Sequence, residues 1–320
     1  MYKPSDKTTW KGRLDLPDGE LGLRWHQIIR LLDLAGEVPE DHGNFALLGF
    51  CCDEGVRRNQ GRVGAAGGPA AVRQAMSSFA SHLPLGVQLF DGGDVLCANQ
   101  HLEEAQAQLG RKVELLLQKG FKAIVLGGGH ETAYGHFSGI RKSLKEGERL
   151  GIINFDAHFD LRSYAQGSSS GTPFRQIAHD LHAAGRNFQY LCLGIQEYGN
   201  TRQLFQTAAE LGVEYVSAQG IQVGATGAVQ EKIKQFMAKV DKLYLSIDLD
   251  VFAAAYAPGV SATNALGLTP HTVLPLLTQV VSSGKVVSLD VVELNPTLDL
   301  DDQTAKLAAA LIYQLVQAWG

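Results

Sequence analysis

Three stretches of this sequence end in side chains that bind hard cations. In Asn154-Phe-Asp156-Ala-His158-Phe-Asp160 the polar residues fall at alternate positions. Alternate side chains of an extended chain share a face, so Asp156, His158 and Asp160 are expected to converge where the strand before them ends. Ala123-Ile-Val-Leu-Gly-Gly-Gly-His130-Glu131 brings a second imidazole after three glycines. Glycines let the backbone come close to a ligand or another chain. The run lacks the GxxxxGK[ST] pattern of a phosphate cradle. Lys242-Leu-Tyr-Leu-Ser246-Ile-Asp248-Leu-Asp250 closes a third apolar run with two alternate aspartates. Two His and four Asp form an oxygen-rich donor set. Carboxylates suit Mg2+ or Mn2+, and imidazole brings in the later first-row metals. Four carboxylates exceed what a single Zn2+ needs and predict two ions sharing bridging carboxylates. Taken alone, the Asp156 triplet is equally well a strand-end loop with a surface His, and the other two stretches separate those readings.

In order and spacing the three stretches resemble the metal motifs of the ureohydrolases, the family of arginase, agmatinase and formimidoylglutamase. A fourth stretch, Asp290-Val-Val-Glu293-Leu-Asn-Pro296, resembles the family's substrate-facing segment. The resemblance runs from Phe45 or so to the C-terminus. It implies an α/β fold of arginase type, three layers α/β/α with a central, mostly parallel sheet. It implies two Mn2+ per chain, other divalent ions being possible, with Asp156 and Asp248 bridging them. His130 and Asp160 would complete one site, and His158 and Asp250 the other. The implied chemistry is attack by a metal-bridging hydroxide on a carbon flanked by nitrogens. Glu293 would pair with the cationic amidinium or guanidinium, and Asp160 would relay a proton to the leaving amine.

The substrate is expected from where this chain departs from its relatives. Arginases and agmatinases carry a proton-shuttling His just before a Gly in the loop after the central motif. Here that loop reads Ser169-Ser170-Gly171-Thr172-Pro173-Phe174, with Ser170 in the His position. Serine does not titrate near neutral pH, which weighs against arginine and agmatine. The loop resembles that of formimidoylglutamases, and so does Asp53-Glu-Gly-Val-Arg57-Arg58-Asn59-Gln-Gly-Arg62-Val-Gly. The implied reaction is hydrolysis of N-formimidoyl-L-glutamate to L-glutamate and formamide, a step of histidine degradation. That substrate carries two carboxylates, and a planar guanidinium matches a carboxylate bidentately. Arg57, Arg58, Arg62, Arg162 and Arg175 lie in loops that could line the mouth, and Ser170 and Thr172 complete the expected substrate-binding set. The alternative is an agmatinase or other guanidino-acid ureohydrolase. A zinc deacetylase would also use Asp-x-His ligands, but the tandem His-His pair such enzymes carry is missing. A non-catalytic metal-binding protein is the remaining reading, against which the intact ligands and Glu293 weigh.

These residues need strands to hold them. Apolar runs at Phe45–Cys52, Val87–Phe90, Lys122–Leu126, Leu150–Phe155, Tyr190–Leu193, Val213–Val216, Leu243–Ile247 and Val286–Leu289 read as strands. Helical spacing occupies Arg24–Leu34, Pro69–Phe79, Glu103–Gln118, Thr132–Leu144, Thr201–Leu211, Ala228–Lys239, Pro270–Ser282 and Gln303–Trp319. Residues 53–69 read as a long glycine-rich loop without structure of its own. Strands alternating with helices predict a parallel sheet covered on both faces, with ligands beyond the carboxyl ends of its strands. No linker or repeat divides the 320 residues, so one domain is expected over 1–320, with 1–44 a lead-in packed on it. His136 is expected on the helix after His130, turned away from it. His179 and His182 read as surface or interhelical residues.

Bulk properties bound the rest. Hydrophobic residues make up 45% of the chain, enough for a large core. With 28 basic against 33 acidic residues and no basic run, a nucleic-acid partner is not expected. No apolar stretch reaches the roughly 20 residues of a membrane span. Met1-Tyr-Lys-Pro-Ser-Asp-Lys lacks the apolar core of a secretory leader. The four cysteines form no CxxC pair and read as reduced core thiols of a cytoplasmic protein. The partner is expected to be a small amidine, and the family resemblance implies a homo-oligomer.

Overall fold

The computed structural model describes residues 1–84, 86–223 and 226–319. The chain forms strands β1 (Tyr2–Lys3), β2 (Arg30–Leu31), β3 (Phe45–Cys51), β4 (Leu89–Leu96), β5 (Lys122–Leu126), β6 (Leu150–Phe155), β7 (Gln189–Ile195), β8 (Glu214–Ser217), β9 (Lys242–Asp248) and β10 (Val286–Val292), of which β3 to β10 arise from the eight apolar runs and the short β1 and β2 are not among the expected strands. They make a single sheet in the order β1-β4-β3-β5-β10-β9-β6-β7-β8, with β2 also against β4. Among the described residues β1 is antiparallel to its neighbour and every other pairing is parallel.

Strand alternation splits the core into two layers. Phe45 and Leu47 of β3 and Ile153 and Phe155 of β6 point to one face. Ala46, Leu48 and Phe50, and Leu150 and Ile152, point to the other. The first face is covered by helices Gly68–Ser77, Thr226–Ala238, Pro270–Val281 and Gln303–Trp319, through residues such as Met76, Phe236, Leu277 and Leu315. Helices Leu102–Gln118, Thr132–Ser143, Pro173–Ala183 and Arg202–Glu210 cover the second, through Leu109, Phe137, Ile177 and Leu204. The result is the three-layer α/β/α architecture read from the sequence.

Three local expectations are corrected. The helix expected over Arg24–Leu34 stops at Ile28. Beyond it, the unpaired edge of β4 takes up the backbone. Arg30 pairs with Phe90, and Leu32 N donates to Asp91 O at 2.9 Å. Residues 53–69 are not structureless, because Glu54–Arg58 is a short helix and Ala65–Gly67 a 3₁₀ turn. The loop expected through Phe174 ends earlier, since Pro173 already opens the helix Pro173–Ala183.

A buried ion pair ties the helix Gly68–Ser77 to the sheet edge. The Arg73 guanidinium, 2% exposed, donates to Asp91 at 2.9 Å and Asp94 at 2.6 Å. Gly49 of β3 makes room for it, because a Cβ there would lie 1.9 Å from Asp94 Oδ1. Arg73→Ala strands the buried Asp91 carboxylate and the half-buried Asp94, so its denaturation midpoint is expected to fall by the equivalent of about 3 kcal/mol. An unchanged midpoint would show that solvent reaches this pair.

Candidate metal centre

Four adjacent strands, β5, β10, β9 and β6, deliver the candidate residues from their carboxyl ends. His130 follows β5, Glu293 follows β10, Asp248 ends β9 and Asp156 follows β6. The three glycines before His130 serve a close approach of the chain to itself. A Cβ on Gly128 would lie 1.7 Å from Cys52 O, and Gly129 N donates to that carbonyl at 3.0 Å. After β6 the alternation expected of Asp156, His158 and Asp160 holds only in part. Ala157 and Phe159 are fully buried, but Asp160 turns back to the site through a left-handed backbone at φ 51°. Glu293 shares that conformation at φ 68°. Such backbone costs about 1–3 kcal/mol for residues other than glycine, and it clusters at functional sites.

Around His130 Nδ1 lie Asp156 Oδ2 at 3.1 Å, Asp160 Oδ2 at 3.0 Å and Asp248 Oδ2 at 3.0 Å. None makes a hydrogen bond with that nitrogen, which is buried and otherwise without a partner. A second group follows: His158 Nδ1 is 2.8 Å from Asp250 Oδ2 and 3.7 Å from Asp156 Oδ1. The two groups, His130-Asp156-Asp160-Asp248 and Asp156-His158-Asp250, each hold their ligand atoms within 4.8 Å of one another. Asp156 belongs to both, whereas Asp248 belongs to the first alone.

The arrangement fits divalent cations on its own geometry. Carboxylates packed around a nitrogen with no hydrogen bonds among them repel unless a positive charge sits at their centre. The crowding of these donors shows in their titration. Burial, then the Asp250 and Asp156 carboxylates, push Asp248 well above the usual carboxylate range. Burial opposes charge on His130, yet Asp156, Asp160 and Asp248 outweigh it and hold the imidazole well above its usual range. The far oxygens are fixed by the backbone: Asp156 Oδ1 accepts from His158 N at 2.7 Å, and Asp248 Oδ1 from Asp250 N at 2.8 Å. Carboxylates with imidazole form a donor set for divalent metal ions.

The profile of the Arginase family matches residues 43–317. The chain belongs to the arginase family. Its similarity to formimidoylglutamases extends over nearly its whole length. It is 47% identical to that of Geobacillus thermodenitrificans over 310 residues, 97% of this chain and 95% of the relative. It is 46% identical to that of Aeromonas hydrophila over 316 residues, 99% of each. Among solved structures, Trypanosoma cruzi formiminoglutamase with Mn2+ matches with a TM-score of 0.77 at 26% identity, over 87% of this chain and 93% of that one. Formimidoylglutamase from Bacillus subtilis matches in fold, with a TM-score of 0.79 at 23% identity over 88% of both chains.

In this arginase-family chain a cavity of about 280 Å³ opens onto the two groups. His158, Asp160, Asp248, Asp250 and Glu293 form its floor, and Arg62, Arg162 and Ser170 its wall. Glu293 is 7% exposed, and its Oε1 accepts from His130 N at 2.7 Å. Burial, then the neighbouring Glu131, raise its carboxyl to about 8. Of the other expected substrate residues, Arg62, Arg162 and Ser170 line the cavity, and Arg57, Arg58 and Thr172 do not. Arg57 and Arg58 clamp Glu54 at 2.6 and 2.9 Å, and Arg58 reaches Glu103 at 2.5 Å. Neither lines the cavity. Thr172 staples its own loop: its Oγ1 accepts from Ser169 N at 3.0 Å and donates to Ser169 O at 2.9 Å. Arg62 lines the cavity, but its guanidinium is taken up by Val260 O at 2.8 Å and Ser261 O at 2.7 Å. Arg162 is exposed there, and among the described residues its guanidinium has no hydrogen-bond or ion-pair partner. Arg175 lies in an adjoining groove that Arg162 also lines.

Two residues missed in the sequence hold this floor in place. Asn200 donates to Ala157 O at 2.9 Å and accepts from Phe159 N at 3.0 Å, fixing the turn that carries His158. Asn264 donates to Asp250 O at 2.6 Å. No local pattern marks them, because each contact joins segments more than ten residues apart.

Proposed function

We propose that the chain hydrolyses N-formimidoyl-L-glutamate to L-glutamate and formamide, using two Mn2+ ions held by His130, Asp156, Asp160, Asp248, His158 and Asp250. The observation that carries the reading is a cation, Arg162, without a partner among the described residues, on the wall of a cavity floored by carboxylates. The substrate has the complementary polarity, a cationic amidine at one end and two carboxylates at the other. Near-full-length identity of 46–47% to proteins named formimidoylglutamase supports it. So does Ser170, which lines the cavity where the arginase and agmatinase pattern has a titrating His.

When bound, two divalent ions supply a water of lowered pKa and positive charge opposite the developing negative charge. Glu293 pairs with the amidinium and holds its carbon over the floor, a charge-assisted contact. The bond between that carbon and the glutamate nitrogen breaks, and the water's oxygen becomes the formamide carbonyl. Asp160 passes a proton to the leaving nitrogen, which departs as the amine of L-glutamate. Arg162 grips a glutamate carboxylate at the mouth. Mn2+ is favoured by the donor set and by its presence with the Trypanosoma cruzi enzyme. This reaction is a step of histidine degradation. Its cytoplasmic setting is supported by four cysteines that are all free, and a homo-oligomer by family resemblance. Among the described residues no helix is long and apolar enough to cross a membrane.

The test is a screen with added Mn2+ of formimidoylglutamate, agmatine, arginine and guanidinobutyrate, with glutamate and formamide as the expected products. Efficient agmatine or arginine hydrolysis with formimidoylglutamate untouched overturns the substrate. Arg162→Ala is expected to raise KM by tenfold or more with kcat little changed, since a lost charged hydrogen bond is worth about 1.5–3 kcal/mol. Arg57→Ala, whose guanidinium turns to Glu54, leaves KM near wild type. The reverse outcome assigns the carboxylate to the other loop.

A further inference from the structure

Behind His130, away from the cavity, runs a chain of buried hydrogen bonds that the reaction above does not use. His130 Nε2 is 2.9 Å from Ser246 Oγ, and Ser246 Oγ donates to Asp290 Oδ1 at 2.6 Å. Asp290 Oδ2 lies 2.7 Å from His136 Nδ1 and also accepts from the Tyr244 hydroxyl. His136 Nε2 is 2.6 Å from Ser288 Oγ, which donates to the Ala123 carbonyl at 2.8 Å. His130 is 1% exposed and Ser246, Asp290, His136 and Ser288 are fully buried, so no solvent group competes for these contacts.

Counting hydrogens gives the chain a direction. The Ala123 carbonyl can only accept, so the one hydroxyl hydrogen of Ser288 goes there. Ser288 Oγ must then accept from His136, which puts a hydrogen on Nε2. The Asp290 carboxylate faces the other ring nitrogen, Nδ1, and also receives the Tyr244 and Ser246 hydroxyls. Burial works against the carboxylate's charge, and His136 heads the groups that outweigh it, holding Asp290 below the usual carboxylate range. An ionised Asp290 takes the hydroxyl hydrogen of Ser246. Ser246 Oγ is then left to accept, and His130 must carry its hydrogen on Nε2. With a cation among the three carboxylates, Nδ1 is the nitrogen left to offer it a lone pair.

We propose that His136 is a positioning residue of the metal centre. Through Asp290 and Ser246 it fixes the tautomer and ring orientation in which His130 offers Nδ1 to one of the two ions. The inference rests on the two-ion reading of the site. Partners behind a metal-binding imidazole tune affinity by about ten- to a hundredfold. His158 reaches its group without this chain, so the effect falls on one ion of the two.

The experiment strips the protein of metal with chelator and titrates it with Mn2+, following free Mn2+ by electron paramagnetic resonance and heat by calorimetry. The melting temperature in chelator is read alongside. Wild type is expected to take two ions. His136→Gln is expected to take one with wild-type affinity and the other about tenfold or more weaker, with excess Mn2+ restoring it. Two ions bound as in wild type overturn the proposal, whatever the melting temperature does. Equal weakening of both overturns it too, since that is the mark of general loosening. If His136→Gln does not fold, Ser288→Ala takes its place. It removes the acceptor for the Nε2 hydrogen and the donor to the Ala123 carbonyl, and strands no charge. Weakening of one ion there supports the proposal, and unchanged binding overturns it. A wild type holding fewer than two ions removes the two-ion reading first, and this inference with it.

Discussion

Asp156→Ala is expected to lose both ions and to fall in turnover by about four decades or more, because metal-lowered water acidity is what makes the nucleophile available near neutral pH. Asp156 alone among the candidates belongs to both ligand groups, with Oδ2 at 3.1 Å from His130 Nδ1 and Oδ1 at 3.7 Å from His158 Nδ1. It is fully buried at the end of β6, oriented by His158 N at 2.7 Å and by Asn154 Nδ2 at 2.9 Å. No neighbouring oxygen can take over both positions. Asp248→Ala then discriminates between two arrangements. The family resemblance makes Asp248 a second bridge, so that its loss empties both positions. The geometry groups it with His130 only, and predicts that the His158–Asp250 ion survives its loss. Elemental analysis of the purified variants reads the difference. One tightly held Zn2+ with full activity in the wild type would sink the binuclear arrangement.

The second large effect is expected from Glu293→Gln. This carboxyl stands over the cavity floor with one oxygen held by His130 N at 2.7 Å. Glutamine keeps an oxygen for that contact and is close to isosteric, so the floor and its metal content should persist. It cannot form the charged pair with an amidinium. Losing one partner of a buried charge pair costs about 2–5 kcal/mol, or some two to three decades in kcat/KM. Steady-state kinetics beside metal analysis on one preparation decide the matter. Lost metal with lost activity would make Glu293 a structural support for His130. Near-normal activity would leave it a buried carboxyl with no part in the reaction.

The chemistry was legible in the sequence because its donors sit beside strand ends, where a period of two and a few residues of local chain set what faces the ligand. His130, Asp156, His158, Asp160, Asp248, Asp250 and Glu293 all gather at one centre, from stretches read with no knowledge of strand order. The edges of elements were less legible. Arg24–Leu34 has helical spacing, yet the free edge of β4 outbids that propensity beyond Ile28. What only the tertiary structure decided was the company each residue keeps. The order β5-β10-β9-β6 sets four segments side by side that are up to 163 residues apart in the chain. The five loop arginines are alike as sequence. Packing ties Arg57 and Arg58 to Glu54 and Arg62 to carbonyls, and leaves Arg162 free at the mouth. His136 is a helical histidine like any other until β9 and β10 bring Ser246, Asp290 and Ser288 to it. A side chain's type is written locally, but its partners come from elements distant in sequence, and burial decides which of those contacts hold.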